Sequence, residues 1–130
     1  KKDKYDLGER QRLNFGHTIG HGIESLYNYE KHTHGEAVIL GMFYESKIAL
    51  EKGLICKEYY EEIKVSLKPL VQELILSKEE VDRLLKYMEN DKKNIGERIS
   101  FCLPIGKGQV DIFNDVDELT IKEILLSRDE

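Results

Sequence analysis

The segment from about Gly35 to Lys52 is predicted to form a helix with apolar residues on almost every side. Its first half contains two apolar runs, AVIL at 37–40 and MF at 42–43. A helix that is apolar all round is stable only when other elements cover it on every side. Gly53 is a natural C-terminal stop for this helix. The sequence therefore predicts a chain organised around one buried central helix.

Further helices are expected on both sides of the central one. The first runs from about Asp6 or Gly8 to Leu26, and another from about Lys57 to Leu67 ends before Pro69. Ser77 and Glu80 have the spacing of a capping box, which predicts the start of a further helix. Core packing fully explains the apolar stripe of that helix, which consists of Val81, Leu84, Leu85 and Met88.

The pattern changes after Asp91. Residues 98–103 alternate at strand spacing, residues 104–108 predict a turn, and residues 109–113 supply a possible partner strand. A final short helix begins at Thr120, with Glu123 as its capping partner, or as early as Asp117. No repeat or linker interrupts this order. The expected fold class is mainly α, a compact helical domain with a small β-hairpin near the C-terminus, formed by residues 1–130.

Composition excludes several classes of function. The formal net charge is −5, from 20 basic and 25 acidic residues, so there is no basic patch and nucleic acid is not an expected partner. Cys56 and Cys102 are too few for a disulfide framework. The sequence has neither a signal peptide nor an 18-residue apolar span, so no membrane is expected and a reducing cytoplasm is the default location.

Three of the four histidines lie in one glycine-rich block. His17 and His21 are one helical turn apart, a spacing at which two imidazoles reach one metal ion or one anion. This pair lacks the glutamate of the His-Glu-x-x-His zinc motif and is ambiguous alone. His34 at the start of the central helix favours a metal or catalytic site. The glycines at 16, 20 and 22 indicate that a helix or a ligand approaches the backbone closely.

These residues resemble the signature of the 3-dehydroquinate synthase family. The specific part of the match has two pieces, Gly8-x-Arg10-x-x-x-Asn14-x-Gly16-His17-Thr18-x-Gly20-His21-x-Ile23-Glu24 and His34-Gly35-Glu36-Ala37-Val38 leading to Gly41-Met42. A weaker downstream match consists of Asp91-Lys92-Lys93 and Leu103-Pro104-x-Gly106. The resemblance implies the C-terminal domain of such a synthase. Asp6 departs from the pattern, because the family usually has a glutamate there.

The resemblance implies an enzyme of the shikimate pathway, the route to aromatic amino acids. Enzymes of this family convert a sugar-acid phosphate, 3-deoxy-D-arabino-heptulosonate 7-phosphate, into 3-dehydroquinate and phosphate, using NAD and a divalent metal, Zn²⁺ or Co²⁺. By the match, His17 and His34 are metal ligands, and the family's third ligand, a glutamate, lies upstream of this sequence. Arg10, Asn14 and His21 are the expected catalytic and substrate-binding residues.

The resemblance also implies roles for two downstream lysines and a site for the NAD cofactor. One of Lys92 and Lys93 is expected to contact the substrate, while the other belongs to a solvated charge run. The sequence contains no glycine-rich phosphate loop, so its NAD-binding residues are unknown and the N-terminal NAD-binding α/β domain is expected to be absent from this chain. Because that domain is absent, we expect these residues alone to be inactive. A separate expectation is that the full-length enzyme is a homodimer.

Some alternatives stay open from the sequence. Related sugar-phosphate cyclases of the valiolone or deoxy-inosose type share most of the histidine block, and metal-dependent alcohol or glycerol dehydrogenases share the broader architecture. A non-catalytic helical domain that binds metal or a partner protein is a hypothesis of a different class. Glu24 could orient a histidine or form an ion pair, and a structural role is expected for it. His32 is expected to be a loop histidine without a ligand.

Overall fold

The computed structural model describes residues 15–28, 30, 32–71, 76–93, 99–106, 109–113 and 115–126. The side chains of 90–93 lie outside this description. Five helices and one hairpin make up the described part, in the order α1 (His17–Leu26), α2 (His34–Glu51), α3 (Lys57–Leu67), α4 (Lys78–Lys93), β1 (Phe101–Gly106), β2 (Gln109–Phe113) and α5 (Glu118–Leu126). The predicted fold class, mainly α with a small hairpin near the C-terminus, is confirmed.

Helix α2 is the buried centre of the fold, as its apolar composition predicts. It contacts α1, α3, β1 and α5, and Ala37, Ile48 and Ala49 are completely buried along it. A capping box that the sequence analysis did not identify starts the helix: the Thr33 side chain accepts from the Glu36 amide at 3.1 Å, and the Thr33 amide donates to Glu36 Oε1 at 2.8 Å.

Helix α1 begins later than the sequence pattern predicts. A continuous helix from residue 6 or 8 to residue 26 is wrong at Gly16, which has a φ of 88° and precedes the first helical residue, His17. A residue in the left-handed region cannot continue a right-handed helix, so any upstream helix is separate from α1. Residues 1–14 lie outside the described part of the chain.

The glycines of α1 are explained by the close approach of other helices. A Cβ atom on Gly41 of α2 would lie 2.0 Å from the Gly16 carbonyl oxygen and 2.7 Å from the Gly20 amide nitrogen. On the other side, a Cβ atom on Gly22 would lie 3.2 Å from the Leu84 side chain of α4. Of the two possibilities that the sequence leaves open at these glycines, the close approach of a helix is confirmed.

The remaining helices begin and end close to their predicted positions. Helix α3 has the predicted bounds, and Ser77 and Glu80 form the predicted capping box before α4, with bonds of 2.9 and 3.1 Å. Gly53 has a φ of 75° and follows α2 as its stop signal predicts. Helix α5 starts at the earlier of the two predicted positions, because the Ile121 amide bonds the Asp117 carbonyl at 3.1 Å.

The first strand of the hairpin lies about three residues later than the predicted 98–103, because β1 runs from Phe101 to Gly106 and residues 99 and 100 are not part of it. The expected turn at 104–108 is wrong for residues 104–106, since β1 continues through Pro104, which pairs with Val110, to Gly106. Proline is tolerated there because each strand of a two-stranded ribbon is an edge, and the pairing is irregular between Pro104 and Gly106. None of the helices in the described part of the chain is long and apolar enough to cross a membrane.

Candidate metal and substrate site

Three imidazole rings converge where α1 meets the start of α2. His17 and His21 project one turn apart from α1, with ring centroids 5.4 Å apart. His34, the first residue of α2, lies 5.4 Å from the His17 ring and 6.0 Å from the His21 ring. Because Gly16, Gly20 and Gly41 allow the two backbones to touch, the helix contact itself brings the three rings together.

A buried carboxylate holds one of these rings. Glu24 Oε2 lies 3.0 Å from His34 Nδ1, and the glutamate is only 8% exposed, whereas the His34 side chain is 60% exposed. The sequence leaves open whether Glu24 orients a histidine or forms an ion pair, and the contact with His34 is compatible with both. The exposed rings of His21 and His34 leave the cluster open on one side.

The donor atoms fit a divalent metal ion. One nitrogen each from His21 and His34 and one oxygen of Glu24 lie within 4.8 Å of one another. In addition, His17 Nδ1 is buried and has no hydrogen-bond partner among the described residues, an unsatisfied state that a bound ion would relieve. Of the two predicted metal ligands, His34 belongs to the group of three donor atoms, and the ring of His17 lies beside that group. The ligand roles of His17 and His34 stay predictions.

A fully buried carboxylate that sequence reasoning missed anchors the start of α1. Glu45 Oε1 accepts from the Gly16 amide at 2.8 Å and Oε2 accepts from the Ile19 amide at 3.0 Å. Helix α1 has no capping side chain of its own, so this residue of α2 takes that role. Burial raises the pKa of Glu45 to about 8, although the backbone amides of α1 act to lower it. The available signal was an acidic residue in the interior of an apolar helix, away from the two other acids near its ends.

A cavity of about 400 Å³ adjoins His17 and His21. Helix α1, helix α4 and the hairpin line it, with Thr18, Ser25, Tyr87 and Ser100 among the polar side chains at its wall. The Thr18 hydroxyl donates to the Ser100 carbonyl at 2.8 Å and ties α1 to the residue before β1. This volume is within the usual range for a small-molecule pocket. The histidines therefore have space for a ligand beside them.

The cysteines and the fourth histidine take no part in the histidine cluster. Burial raises the pKa of Cys102 to about 11, so the thiol stays protonated, and Cys56 is exposed. His32 is buried before α2, with its ring 5.7 Å from that of Tyr27.

Four predicted substrate-binding side chains lie outside the described part of the chain. Arg10 and Asn14 lie outside the described residues, as does Asp6. Lys92 and Lys93 end α4, and their side chains are also outside the description. Their predicted roles are therefore not tested by the structure.

The solved structures that share this fold include two synthases. One is ValA, 2-epi-5-epi-valiolone synthase from Streptomyces hygroscopicus subsp. jinggangensis 5008 with NAD⁺ and Zn²⁺ bound, with a TM-score of 0.70 and 24% identity over 88% of this chain and 31% of that one. The other is 2-deoxy-scyllo-inosose synthase complexed with carbaglucose-6-phosphate, NAD⁺ and Co²⁺, with a TM-score of 0.71 and 26% identity over 95% of this chain and 35% of that one. The fold is that of a domain of the sugar-phosphate cyclases.

The family within this class follows from the sequence match. Residues 1–94 match the family described as 3-dehydroquinate synthase C-terminal, and the chain belongs to that family. It is 51% identical over 109 residues, 84% of its length, to 3-dehydroquinate synthase of Alkaliphilus metalliredigens (strain QYMF). It is 36% identical over 124 residues, 95% of its length, to that of Alkaliphilus oremlandii (strain OhILAs). The chain spans about a third of the length of these relatives.

Proposed function

We propose that this chain is the metal- and substrate-binding domain of a 3-dehydroquinate synthase, which converts 3-deoxy-D-arabino-heptulosonate 7-phosphate into 3-dehydroquinate and phosphate. The observation that carries the proposal is the convergence of three imidazoles, with centroids 5.4 to 6.0 Å apart, beside a cavity of about 400 Å³. Membership of the synthase family supports the choice of reaction.

His17 and His34 are the proposed metal ligands. They come from different helices, so the ion would bridge α1 and α2 at the junction that the glycines make possible. A bound divalent ion would supply polarisation of a substrate hydroxyl, and a bound NAD would supply reversible hydride acceptance. The chain's own imidazoles hold the ion and leave its remaining coordination positions to the substrate and to a third ligand outside this sequence.

His21 is the proposed contact to the substrate phosphate. Its ring is exposed, lies 5.4 Å from that of His17 and borders the cavity, so it can donate a hydrogen bond to a phosphate oxygen or carry a proton during phosphate loss. Arg10, Asn14 and one of Lys92 and Lys93 are proposed to hold the phosphate and carboxylate groups. Guanidinium and ammonium groups suit such anions because their hydrogen bonds are charge-assisted.

The nucleotide-binding half of the enzyme is proposed to be a separate α/β domain. This chain spans about a third of its relatives, and the two solved cyclases that share its fold have NAD⁺ bound. The open side of the histidine cluster is the face on which we place that domain. A cytoplasmic homodimer remains our expectation for the full-length enzyme.

Phosphate release from the sugar-acid phosphate tests the proposal. With NAD and Zn²⁺ present, the 130-residue chain alone is expected to show no turnover, whereas the same sequence joined to the NAD-binding portion of the Alkaliphilus metalliredigens relative is expected to be active. Replacing His34 by alanine in the joined protein should abolish turnover and lower its zinc content. Clear activity of the 130 residues alone would contradict the division of labour proposed here.

The same assay separates this function from its alternatives. A sugar phosphate without the carboxylate should not be a substrate of the joined protein, and preference for it would indicate a cyclase of the valiolone or deoxy-inosose type. Zinc binding without turnover on either substrate would indicate a non-catalytic metal-binding domain. The 51% identity to a 3-dehydroquinate synthase, against 24% and 26% to the two other cyclases, supports the first function.

A further inference from the structure

We propose that Glu24 is a positioning residue that fixes the ring of His34 and reserves the Nε2 atom of that ring for the metal. This inference rests on the metal role proposed for His34 above. Its basis is the 3.0 Å contact between Glu24 Oε2 and His34 Nδ1, which joins α1 to the first residue of α2 across the helix junction.

The hydrogen bond decides which ring nitrogen is free. An ionised carboxylate can only accept a hydrogen bond, so His34 Nδ1 must carry the proton that it donates to Glu24. A neutral imidazole has one protonated nitrogen and one lone pair, which leaves the lone pair on Nε2. Metal-ligating histidines commonly donate their other N–H to a carboxylate in this way, which fixes both tautomer and ring orientation.

The unequal burial of the two partners explains why Glu24 is the fixed member. The glutamate is 8% exposed, so surrounding atoms restrict its carboxylate, whereas the His34 side chain is 60% exposed and at the end of a helix. An exposed ring without a partner would sample several rotamers and both tautomers. The buried carboxylate removes that freedom before any ion binds, and the ring N–H in turn satisfies a buried charge.

Direct coordination by Glu24 is the competing arrangement, since one of its oxygens lies within 4.8 Å of nitrogens of His21 and His34. The orienting role is favoured because the contact already has hydrogen-bond length and satisfies both groups without an ion. The two arrangements differ in which atoms surround the metal, and spectroscopy of the bound ion can tell them apart.

Zinc affinity and the His34 tautomer test the inference. Competition with a chromophoric chelator should show that Glu24→Gln weakens zinc binding about 10- to 100-fold. Glu30→Gln, which removes the same charge at an exposed position between α1 and α2, should leave the affinity unchanged. In the metal-free wild-type chain, long-range ¹H–¹⁵N correlation should find the Nδ1–H tautomer of His34, and Glu24→Gln should give a mixture.

Three results would overturn the inference. The first is an Nε2–H tautomer of His34 in the wild type. This measurement does not depend on whether any variant folds. The second is equal zinc affinity of Glu24→Gln and wild type while His34→Ala is weakened, which would leave the proposed metal site intact. The third is a change in the Co²⁺ absorption spectrum or the X-ray absorption signal which shows that the metal has one oxygen ligand fewer in Glu24→Gln than in the wild type. If the wild-type sequence joined to the NAD-binding portion, which supplies the third ligand, binds no zinc at all, the metal role of His34 fails together with this inference.

Discussion

Replacing Gly41 by alanine is expected to force apart the two helices that carry the histidines. The added Cβ atom would lie 2.0 Å from the Gly16 carbonyl oxygen and 2.7 Å from the Gly20 amide nitrogen. Both are backbone atoms, so neither can rotate away. Since Cβ atoms essentially never come within 3.0 Å of another atom, α1 and α2 must separate locally by about 1 Å.

The expected loss of stability is about 2 kcal/mol. Overpacking a core costs about 1 to 3 kcal/mol, and the upper end applies because the clash involves backbone. Alanine gains about 1 kcal/mol over glycine from its higher helix propensity, which offsets part of this cost. A net loss of this size is a substantial fraction of the roughly 5 to 15 kcal/mol that stabilise a typical domain.

Urea unfolding followed by circular dichroism measures the effect, and the chain offers a matched control. A Cβ atom on Gly35, in the same helix, would meet no atom within 4 Å. Gly35→Ala should therefore be neutral or more stable than wild type by up to about 1 kcal/mol. If Gly41→Ala unfolds at the same urea concentration as Gly35→Ala, with equal denaturant dependence, the proposed helix contact is wrong.

Three further changes have expected outcomes. Glu45→Gln removes a carboxyl whose pKa is raised to about 8, so the unfolding free energy of the metal-free wild type should fall relative to this variant as pH rises from about 4.5 to 8; a constant difference across that interval would refute the assignment. Ser77→Ala should cost about 1 kcal/mol by removing the cap of α4, whereas Ser66→Ala, at an exposed position within α3, should cost nothing, and equal effects would argue against the capping box. Leu84→Ala should lower the unfolding free energy by about 2 to 5 kcal/mol because the Leu84 side chain is fully buried, whereas Leu119, which is 61% exposed, should lose less than about 0.5 kcal/mol on replacement by alanine. Similar losses for the two variants in thermal unfolding would show that the burial pattern is wrong.

The parts of the fold that local sequence determines were predictable. Helix α2 has a long apolar run and ends before Gly53, and α3 stops before Pro69, so both were placed to within about one residue. The start of α1 was not predictable in this way. Gly16 adopts its left-handed conformation where it packs against Gly41 and binds Glu45, and these partners are 25 and 29 residues away in the sequence.

The candidate site shows the same division. The spacing of His17 and His21 and the position of His34 at the start of a helix indicated a cluster, because helix geometry is periodic and local. Neither Glu24 nor Glu45 could be given its partner from the sequence. Each carboxylate bonds across the α1–α2 junction, and only the packing of the two helices decides which atom it meets.

That junction predicts how stability and metal affinity depend on one another. The rings of His17 and His34 come from the two helices that meet in this backbone contact, so any change that widens the contact should lower both quantities. The Ser77 cap lies at the start of α4, away from the contact, and its loss should lower stability alone. Zinc affinity in the Gly41→Ala and Ser77→Ala variants, measured where both remain folded, should therefore fall only in the first. Equal zinc affinity in the two would mean that the ion, and not the helix contact, positions the imidazoles.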